Sequence, residues 1–113
     1  PGYIPNTDLP YLYSGAFAFL YTSLRESFGI PLLEAMACGT PVVTSNTSSM
    51  PEVGGPGALL CDPTDAKDIA HKILSLEKDP ALYRQQIQYG LRRAKRFSWE
   101  TTATELLSIY KSI

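Results

Sequence analysis

The chain has 113 residues, a formal net charge of −1, 44% hydrophobic residues and 19% charged residues. That length fits one small domain, and the balance excludes wholesale disorder and argues against nucleic acid as a partner. The charge is divided unevenly, because residues 1–65 carry one base and six acids whereas residues 66–113 carry nine bases and five acids. An anionic ligand of the first region therefore depends on backbone N–H groups, on Arg25 or on bases outside this chain.

The first predicted elements are a short helix and an apolar strand. Candidate N-cap residues at 6–8 precede Leu9-Pro10, which predicts a helix to about residue 14. The run AFAFLY at 16–21 is typical of a strand that is buried on both faces. Pro31 stands where the first turn of a helix belongs, so PLLEAMAC predicts a helix that stops at Gly39.

Two more strands and three helices are predicted to follow. PVVTS at 41–45 predicts a second buried strand, and ALLCD at 58–62 predicts a third. The connection between them is rich in turn residues and includes one helical turn at Pro51. Three helices then start at capping residues, the second running through the basic segment RRAKRF and the last carrying an apolar stripe. The caps are Asp65, Asp79 and Ser98, and the stripe is Ala103, Leu106, Leu107, Tyr110 and Ile113.

Strands that alternate with helices predict an α/β fold with a parallel sheet of about three strands, followed by C-terminal helices. Three strands are few for a doubly wound sheet, so we expect residues 1–113 to be a single partial Rossmann-like domain whose first strands lie upstream. Residues 1–65 would form its βαβ region and residues 66–113 its helical region. A sheet edge left exposed in this way favours a homodimer.

The stretch RESFGIPLLEAMACGTPVV at 25–43 places two glutamates on either side of a helix start. Ligands of open parallel sheets bind at the carboxyl ends of the strands, and here such an end leads into the helix. Backbone N–H groups near Gly29 and the positive end of the helix dipole suit a phosphate. Glu34, about one turn into the helix, and Glu26, in the preceding loop, are placed to accept hydrogen bonds from vicinal hydroxyls. The order of hydroxyls, phosphate and hydroxyls is that of a sugar nucleotide.

A structural interpretation of the two glutamates stays open beside this functional one. Acids near a helix N-terminus are common because the helix dipole stabilises them. Arg25 is equally a candidate for a surface ion pair with Glu26.

The same stretch resembles the E-x7-E signature of family 4 glycosyltransferases, which are retaining enzymes of the GT-B fold. The segments GYIPNTDLPYLYSGA, SNTSSMPEV, LLCDP and RAKRFSWE resemble that family's C-terminal domain in order and spacing, so nearly the whole chain is covered. The resemblance implies that Glu34 holds the nucleotide ribose and that Glu26 contacts the donor sugar. It also implies that the segment Phe28, Gly29 and Ile30 meets the sugar and the diphosphate, with Leu33 flanking the ribose.

Some features of that family are absent or altered here. Ser27 and Thr22 stand where glycine and proline are frequent in its members. The Arg/Lys pair that neutralises the diphosphate, and the N-terminal domain with the acceptor site, would lie upstream. The resemblance implies hexosyl transfer from a nucleotide sugar, with GDP-mannose expected, to a saccharide or lipid-linked saccharide, without a further cofactor.

Other motifs have simpler interpretations. Thr47 and Ser48 follow the second strand and are candidates for a sugar contact, or form an ordinary turn before Pro51. GGPG at 54–57 predicts a turn, because no Lys-Ser/Thr pair and no helix follow it as in a phosphate loop. DPTD at 62–65 predicts a helix-capping turn, and we expect no metal site.

The histidine, the basic segment and the two cysteines also have structural interpretations. His71 is expected to be a solvated or half-buried helix residue, and RRAKR at 92–96 to be one solvated helix face. Cys38 and Cys61 are expected to be buried thiols in a reducing compartment. We therefore expect a cytoplasmic protein, with peripheral contact at the inner membrane face as an option.

Two alternatives to the glycosyltransferase stay open. One is a non-catalytic phosphate-binding, nucleotide-binding or interaction module that kept the fold. The other is a different GT-B-like enzyme, such as an epimerase or a phosphorylase.

Overall fold

The computed structural model describes residues 2–113 and contains a three-stranded parallel sheet. The strands are β1 (Phe19–Tyr21), β2 (Val42–Ser45) and β3 (Ala58–Cys61), arranged in that order with β2 in the middle. Val42 lies opposite Phe19 on one side and opposite Ala58 on the other. Because the strands are parallel, their carboxyl ends meet at one edge of the sheet, which we call the carboxyl edge. The predicted α/β class and parallel sheet are confirmed.

Residues 2–113 contain six α-helices outside the sheet. They are α1 (Leu9–Gly15), α2 (Ile30–Ala37), α3 (Met50–Gly54), α4 (Ala66–Lys78), α5 (Pro80–Ala94) and α6 (Trp99–Ser112), and a 3-10 turn at Gly55–Gly57 follows α3. The three predicted caps of the helical region are confirmed, since their side chains accept backbone hydrogen bonds from the first turns of α4, α5 and α6. Among residues 2–113, no helix has the length and apolar character needed to cross a bilayer.

The core lies on both faces of β2. Successive side chains of a strand point to opposite faces, so Val42 joins the cluster under α2 and Val43 joins the cluster under α4. The first cluster holds Leu32, Ala35, Met36, Val42, Met50 and Ala58, and the second holds Val43, Cys61 and Leu76. All four residues of β2 are buried because this strand has a neighbour on each side.

Two details of the predicted elements are wrong. The run AFAFLY is a strand only over Phe19–Tyr21, and Leu20 is 44% exposed because β1 has a neighbour on one side only. Helix α5 ends at Ala94, so the end of the basic segment lies outside it. The predicted apolar stripe of α6 lies outside the core of this chain, and every residue from Thr101 onward is exposed.

Candidate functional site

The loop between β1 and α2 ends in a glycine that the geometry requires. Gly29 is the N-cap of α2 and has φ +96°, a conformation that L side chains rarely adopt. A Cβ at this position would also lie 3.1 Å from Sδ of Met50, which packs beneath the turn. The sharp entry into α2 therefore depends on the absence of a side chain at position 29.

The backbone at this helix start has unused donors. Within residues 2–113, the N–H groups of Phe28, Gly29 and Ile30 donate no hydrogen bond, and no side chain caps the helix. Phe28 and Ile30 are exposed. Free N–H groups at the positive end of a helix dipole form a site for an anion.

Glu34 is exposed on α2 and is held by a tyrosine of α1. Its Oε2 accepts a hydrogen bond of 2.8 Å from the Tyr13 hydroxyl. Burial, followed by this hydrogen bond, raises the pKa of Tyr13 well above its usual range. The pair borders a cavity of 420 Å³, which is also lined by Asn6, Leu9, Pro10, Ala37 and Cys38. No protein donor reaches Oε1 of Glu34 in the part of the chain that the structure describes.

Glu26 is held in the same way. Its Oε1 accepts a hydrogen bond of 2.5 Å from the Tyr21 hydroxyl and one of 3.4 Å from Ser23 Oγ. The hydrogen bond to Glu26, and then burial, raise the pKa of Tyr21. The partner of Glu26 is thus a tyrosine, whereas Arg25 is an exposed side chain beside it. Oε2 of Glu26 has no donor among residues 2–113.

The two glutamates therefore share one arrangement, in which a tyrosine fixes one carboxylate oxygen and leaves the other without a protein partner. Sequence reasoning missed both tyrosines. Tyr21 ends the strand before Glu26, and a hydroxyl at the carboxyl end of a strand was a usable signal. Tyr13 lies 21 residues before Glu34 and carried no local signal.

The side chains of the predicted donor segment line an apolar groove. The Phe28 ring meets the Phe97 ring edge to face, with 5.8 Å between the ring centroids. With Ile30 and Leu33 they border a cavity of 440 Å³. The remaining lining residues, Ser98, Trp99 and Thr102, come from the start of α6 and the residue before it.

The segment after β2 reaches the same loop. The Ser48 hydroxyl is hydrogen-bonded to the main chain of Glu26, so Ser48 lies beside the predicted donor site. Thr47 is exposed, and its side chain makes no hydrogen bond within the described residues. A sugar contact by either residue stays a prediction.

The predicted solvated face at 92–96 is wrong for one residue. Arg93 Nε donates a hydrogen bond of 2.9 Å to the Val53 carbonyl oxygen, and a second guanidinium nitrogen donates to the Glu52 carbonyl oxygen. The guanidinium also lies 5.0 Å from the centre of the Phe97 ring. Arg93 therefore joins α5 to the end of α3 and supports the ring that contacts Phe28.

The simpler motifs behave largely as expected. Asp65 caps α4, and hydrogen bonds from Thr64 lower the pKa of Asp62. His71 is exposed on α4. Cys61 is buried, and burial raises the pKa of its thiol, but Cys38 is only half-buried; both are free thiols. Residues 2–113 contain no cluster of three or more His, Cys, Asp or Glu side chains that could hold a metal ion.

A three-stranded parallel sheet, flanked by helices and followed after β1 by a glycine-started helix, defines a Rossmann-like α/β domain. Residues 1–93 match the family model described as glycosyl transferases group 1. The chain therefore belongs to the glycosyl transferases group 1 family.

Curated relatives of the chain are longer proteins. It is 47% identical over 110 residues to the O-antigen chain mannosyltransferase B of Escherichia coli, covering 97% of this chain and 29% of the relative. It is 38% identical over 102 residues to the serotype-specific mannosyltransferase WbdA of Escherichia coli, covering 90% of this chain and 12% of that one. The chain thus spans less than a third of the length of these relatives.

Solved glycosyltransferases of the GT-B fold have a similar structure. The sucrose-phosphate synthase of Thermosynechococcus elongatus has a TM-score of 0.83 and 32% identity, with 99% of this chain and 29% of that one covered. The Anabaena protein Alr3699/HepE, in complex with UDP-glucose, has a TM-score of 0.83 and 25% identity, with 94% of this chain and 30% of that one covered.

Proposed function

We propose that the chain is the donor-binding part of the C-terminal domain of a retaining family 4 glycosyltransferase. The observation that carries this proposal is the start of α2, where unused N–H groups follow Glu26 and precede Glu34 along the chain and a tyrosine holds each glutamate. The complex of Alr3699/HepE with UDP-glucose supports it, because that similar structure binds a sugar nucleotide. Membership of the glycosyl transferases group 1 family supports it independently.

Each group at the carboxyl edge has a role in this proposal. The N–H groups of residues 28–30 and the helix dipole bind the diphosphate. Oε1 of Glu34 accepts hydrogen bonds from the ribose hydroxyls, with Leu33 against the ribose ring. Oε2 of Glu26 accepts from a hydroxyl of the donor sugar. Because residues 1–65 carry a single base, bases elsewhere in the intact protein must complete the neutralisation of the diphosphate.

The chemistry proposed is transfer with retention of configuration. The bond between the anomeric carbon and the phosphate oxygen breaks, and the acceptor oxygen bonds to that carbon on the same face. The acceptor proton passes to the departing phosphate oxygen, which lies on that face. Glu26 and Glu34 orient the donor, unlike the two carboxylates of a glycosidase, which flank the scissile bond as acid and base or nucleophile.

The relatives support a proposal for the donor sugar. We propose GDP-mannose as donor because the two curated relatives described above are mannosyltransferases. We propose a saccharide or a lipid-linked saccharide as acceptor, bound by another domain of the intact protein. A lipid-linked acceptor would bring the protein to the inner face of the membrane.

Calorimetric titration of GDP, UDP and ADP into the intact protein tests this proposal. We expect selective binding of GDP and a loss of affinity of about tenfold or more in Glu34→Gln, because hydrogen bonds to a charged acceptor contribute about 1.5–3 kcal/mol. Glu77→Gln, at an exposed position on α4, is the matched control and should bind as the wild type does. Equal affinities in all three proteins would overturn the ribose contact, and a wild type that binds no nucleotide would overturn the proposed function.

A further inference from the structure

Two serines after β2 bind the main chain of the loop that carries Glu26. The Ser48 hydroxyl accepts a hydrogen bond of 3.1 Å from the Glu26 N–H and donates one of 2.7 Å to the Glu26 carbonyl oxygen. The Ser49 hydroxyl donates one of 2.9 Å to the Phe28 carbonyl oxygen. The Ser48 side chain is thus hydrogen-bonded to both the N–H and the carbonyl group of Glu26, and we call these two hydrogen bonds the Ser48 clasp.

The backbone of Ser48 is unusual. Its φ is +58°, and it is the one residue other than glycine with positive φ among residues 2–113. L residues rarely occupy this region, and they do so where surrounding contacts hold them, often at functional sites. The two hydrogen bonds of the Ser48 clasp are contacts of that kind.

The Ser48 clasp completes the restraint on Glu26. The Tyr21 hydroxyl holds the carboxylate at Oε1, and the Ser45 hydroxyl donates a hydrogen bond of 2.6 Å to the Ser23 carbonyl oxygen. The Ser23 hydroxyl lies 3.1 Å from the Arg25 carbonyl oxygen and 3.4 Å from Oε1 of Glu26. Glu26 is thus fixed at its main chain and at one carboxylate oxygen. The remaining oxygen, Oε2, is held at one place on the carboxyl edge.

The clasp also occupies the hydroxyl of Ser48. Its one proton is donated to the Glu26 carbonyl oxygen, and a lone pair accepts from the Glu26 N–H. A sugar hydroxyl that needed a donor would have to break the shorter of these hydrogen bonds. A role through Glu26 therefore fits the geometry better than direct contact with the sugar.

We propose that Ser48 is a positioning residue, whose hydroxyl fixes Glu26 for the donor sugar. This inference rests on the proposed function, in which Glu26 binds that sugar. Displacement of a binding group by about 1 Å costs up to about a hundredfold in rate. Loss of the clasp should therefore act on turnover more than on nucleotide affinity, because the nucleotide is held at α2.

Two substitutions distinguish the effect of the Ser48 hydroxyl from the effect of the strained backbone at position 48. Ser48→Ala removes the hydroxyl and keeps a side chain at φ +58°, whereas Ser48→Gly removes the hydroxyl and relieves the strained backbone. Ser48→Gly should therefore unfold at a higher temperature than Ser48→Ala. Ser75→Ala is the matched control, since the Ser75 hydroxyl donates to the Lys72 carbonyl oxygen within α4.

GDP release from GDP-mannose by the intact protein measures the effect. We expect kcat to fall about tenfold or more, and equally, in both Ser48 variants. GDP affinity should change less than about twofold, and Ser75→Ala should match the wild type. A kcat that follows thermal stability, so that Ser48→Gly approaches the wild type, would overturn the positioning role.

Hydrogen exchange at the Glu26 amide tests the clasp without any substrate. The amide should exchange faster in both Ser48 variants, because its acceptor has been removed. Unchanged exchange would overturn the clasp whatever the enzyme does. The GDP titration of the wild type reports on the proposed function alone, so the two proposals fail in different experiments.

Discussion

Replacing Gly29 with alanine should damage both the fold and the anion site. The substitution puts a side chain at φ +96°, which costs about 1–2 kcal/mol for an L residue in left-handed backbone. The new Cβ would also lie 3.1 Å from Met50 Sδ, which is tighter than an ordinary contact, so the packed Met50 side chain must shift. Displacing packed side chains adds about 1 kcal/mol or more, which brings the expected loss to about 2–3 kcal/mol.

Two other glycines separate these contributions. Gly39 has φ +75°, but an added Cβ would find its nearest neighbour, Ile87 Cγ2, at 3.9 Å. Gly39→Ala should therefore cost the backbone contribution alone, about 1–2 kcal/mol. Gly15 has no atom within 4 Å of an added Cβ and no positive φ, so Gly15→Ala should be neutral or stabilising by up to about 1 kcal/mol.

Urea unfolding of the 113-residue chain and its three alanine variants measures the series. We expect the free energy of unfolding to fall in the order Gly15→Ala, Gly39→Ala, Gly29→Ala. GDP titration of the intact protein should show an affinity loss of about tenfold or more for Gly29→Ala alone, because only that change displaces the N–H groups at α2. A Gly29→Ala chain as stable as Gly39→Ala would refute the packing argument, and unchanged GDP affinity would refute the anion site.

Two further predictions concern the groups around the site. Arg93→Ala should lower the free energy of unfolding by about 2 kcal/mol, because two carbonyl oxygens of α3 lose a charged donor. Urea unfolding should show a smaller loss for Arg92→Ala, whose exposed guanidinium lies 5.0 Å from the Tyr89 ring centre; equal losses would contradict the argument. The pKa values of Tyr13 and Tyr21 are raised in the folded chain. The protonated hydroxyls of these residues therefore stabilise the fold below about pH 10. This stabilisation is lost as the pH rises through the pKa values of the folded state. Absorbance at alkaline pH should show tyrosine hydroxyls that ionise late. The Tyr21→Phe variant should show one late-ionising hydroxyl fewer than the wild type. A variant that titrates like the wild type would contradict the Tyr21–Glu26 hydrogen bond.

The parts that sequence predicted correctly are those decided by neighbouring residues. The caps at Asp65, Asp79 and Ser98 act on N–H groups two or three positions away. Gly39 follows the end of α2 with the positive φ that a stop requires. Alternating strand and helix patterns led to the parallel sheet because each pattern is local and the crossover rule then restricts the topology.

Burial was predicted less well, because it depends on neighbours that a pattern does not name. AFAFLY has the composition of a central strand, yet β1 has a neighbour on one side only, and Leu20 is exposed. The apolar stripe of α6 is regular, but residues 101–113 are all exposed. An apolar period establishes that a face can be buried and leaves open what covers it.

The sequence by itself determined the helix start that follows β1, the glycine that begins it and the spacing of Glu26 and Glu34, because these features lie within one short segment. Only the tertiary structure decided what holds them. Tyr13 reaches Glu34 across 21 residues, Ser48 reaches Glu26 across 22, and Arg93 reaches Val53 across 40. Such contacts join residues far apart in the chain that only the packing of its helices and strands brings together, so no local pattern records them.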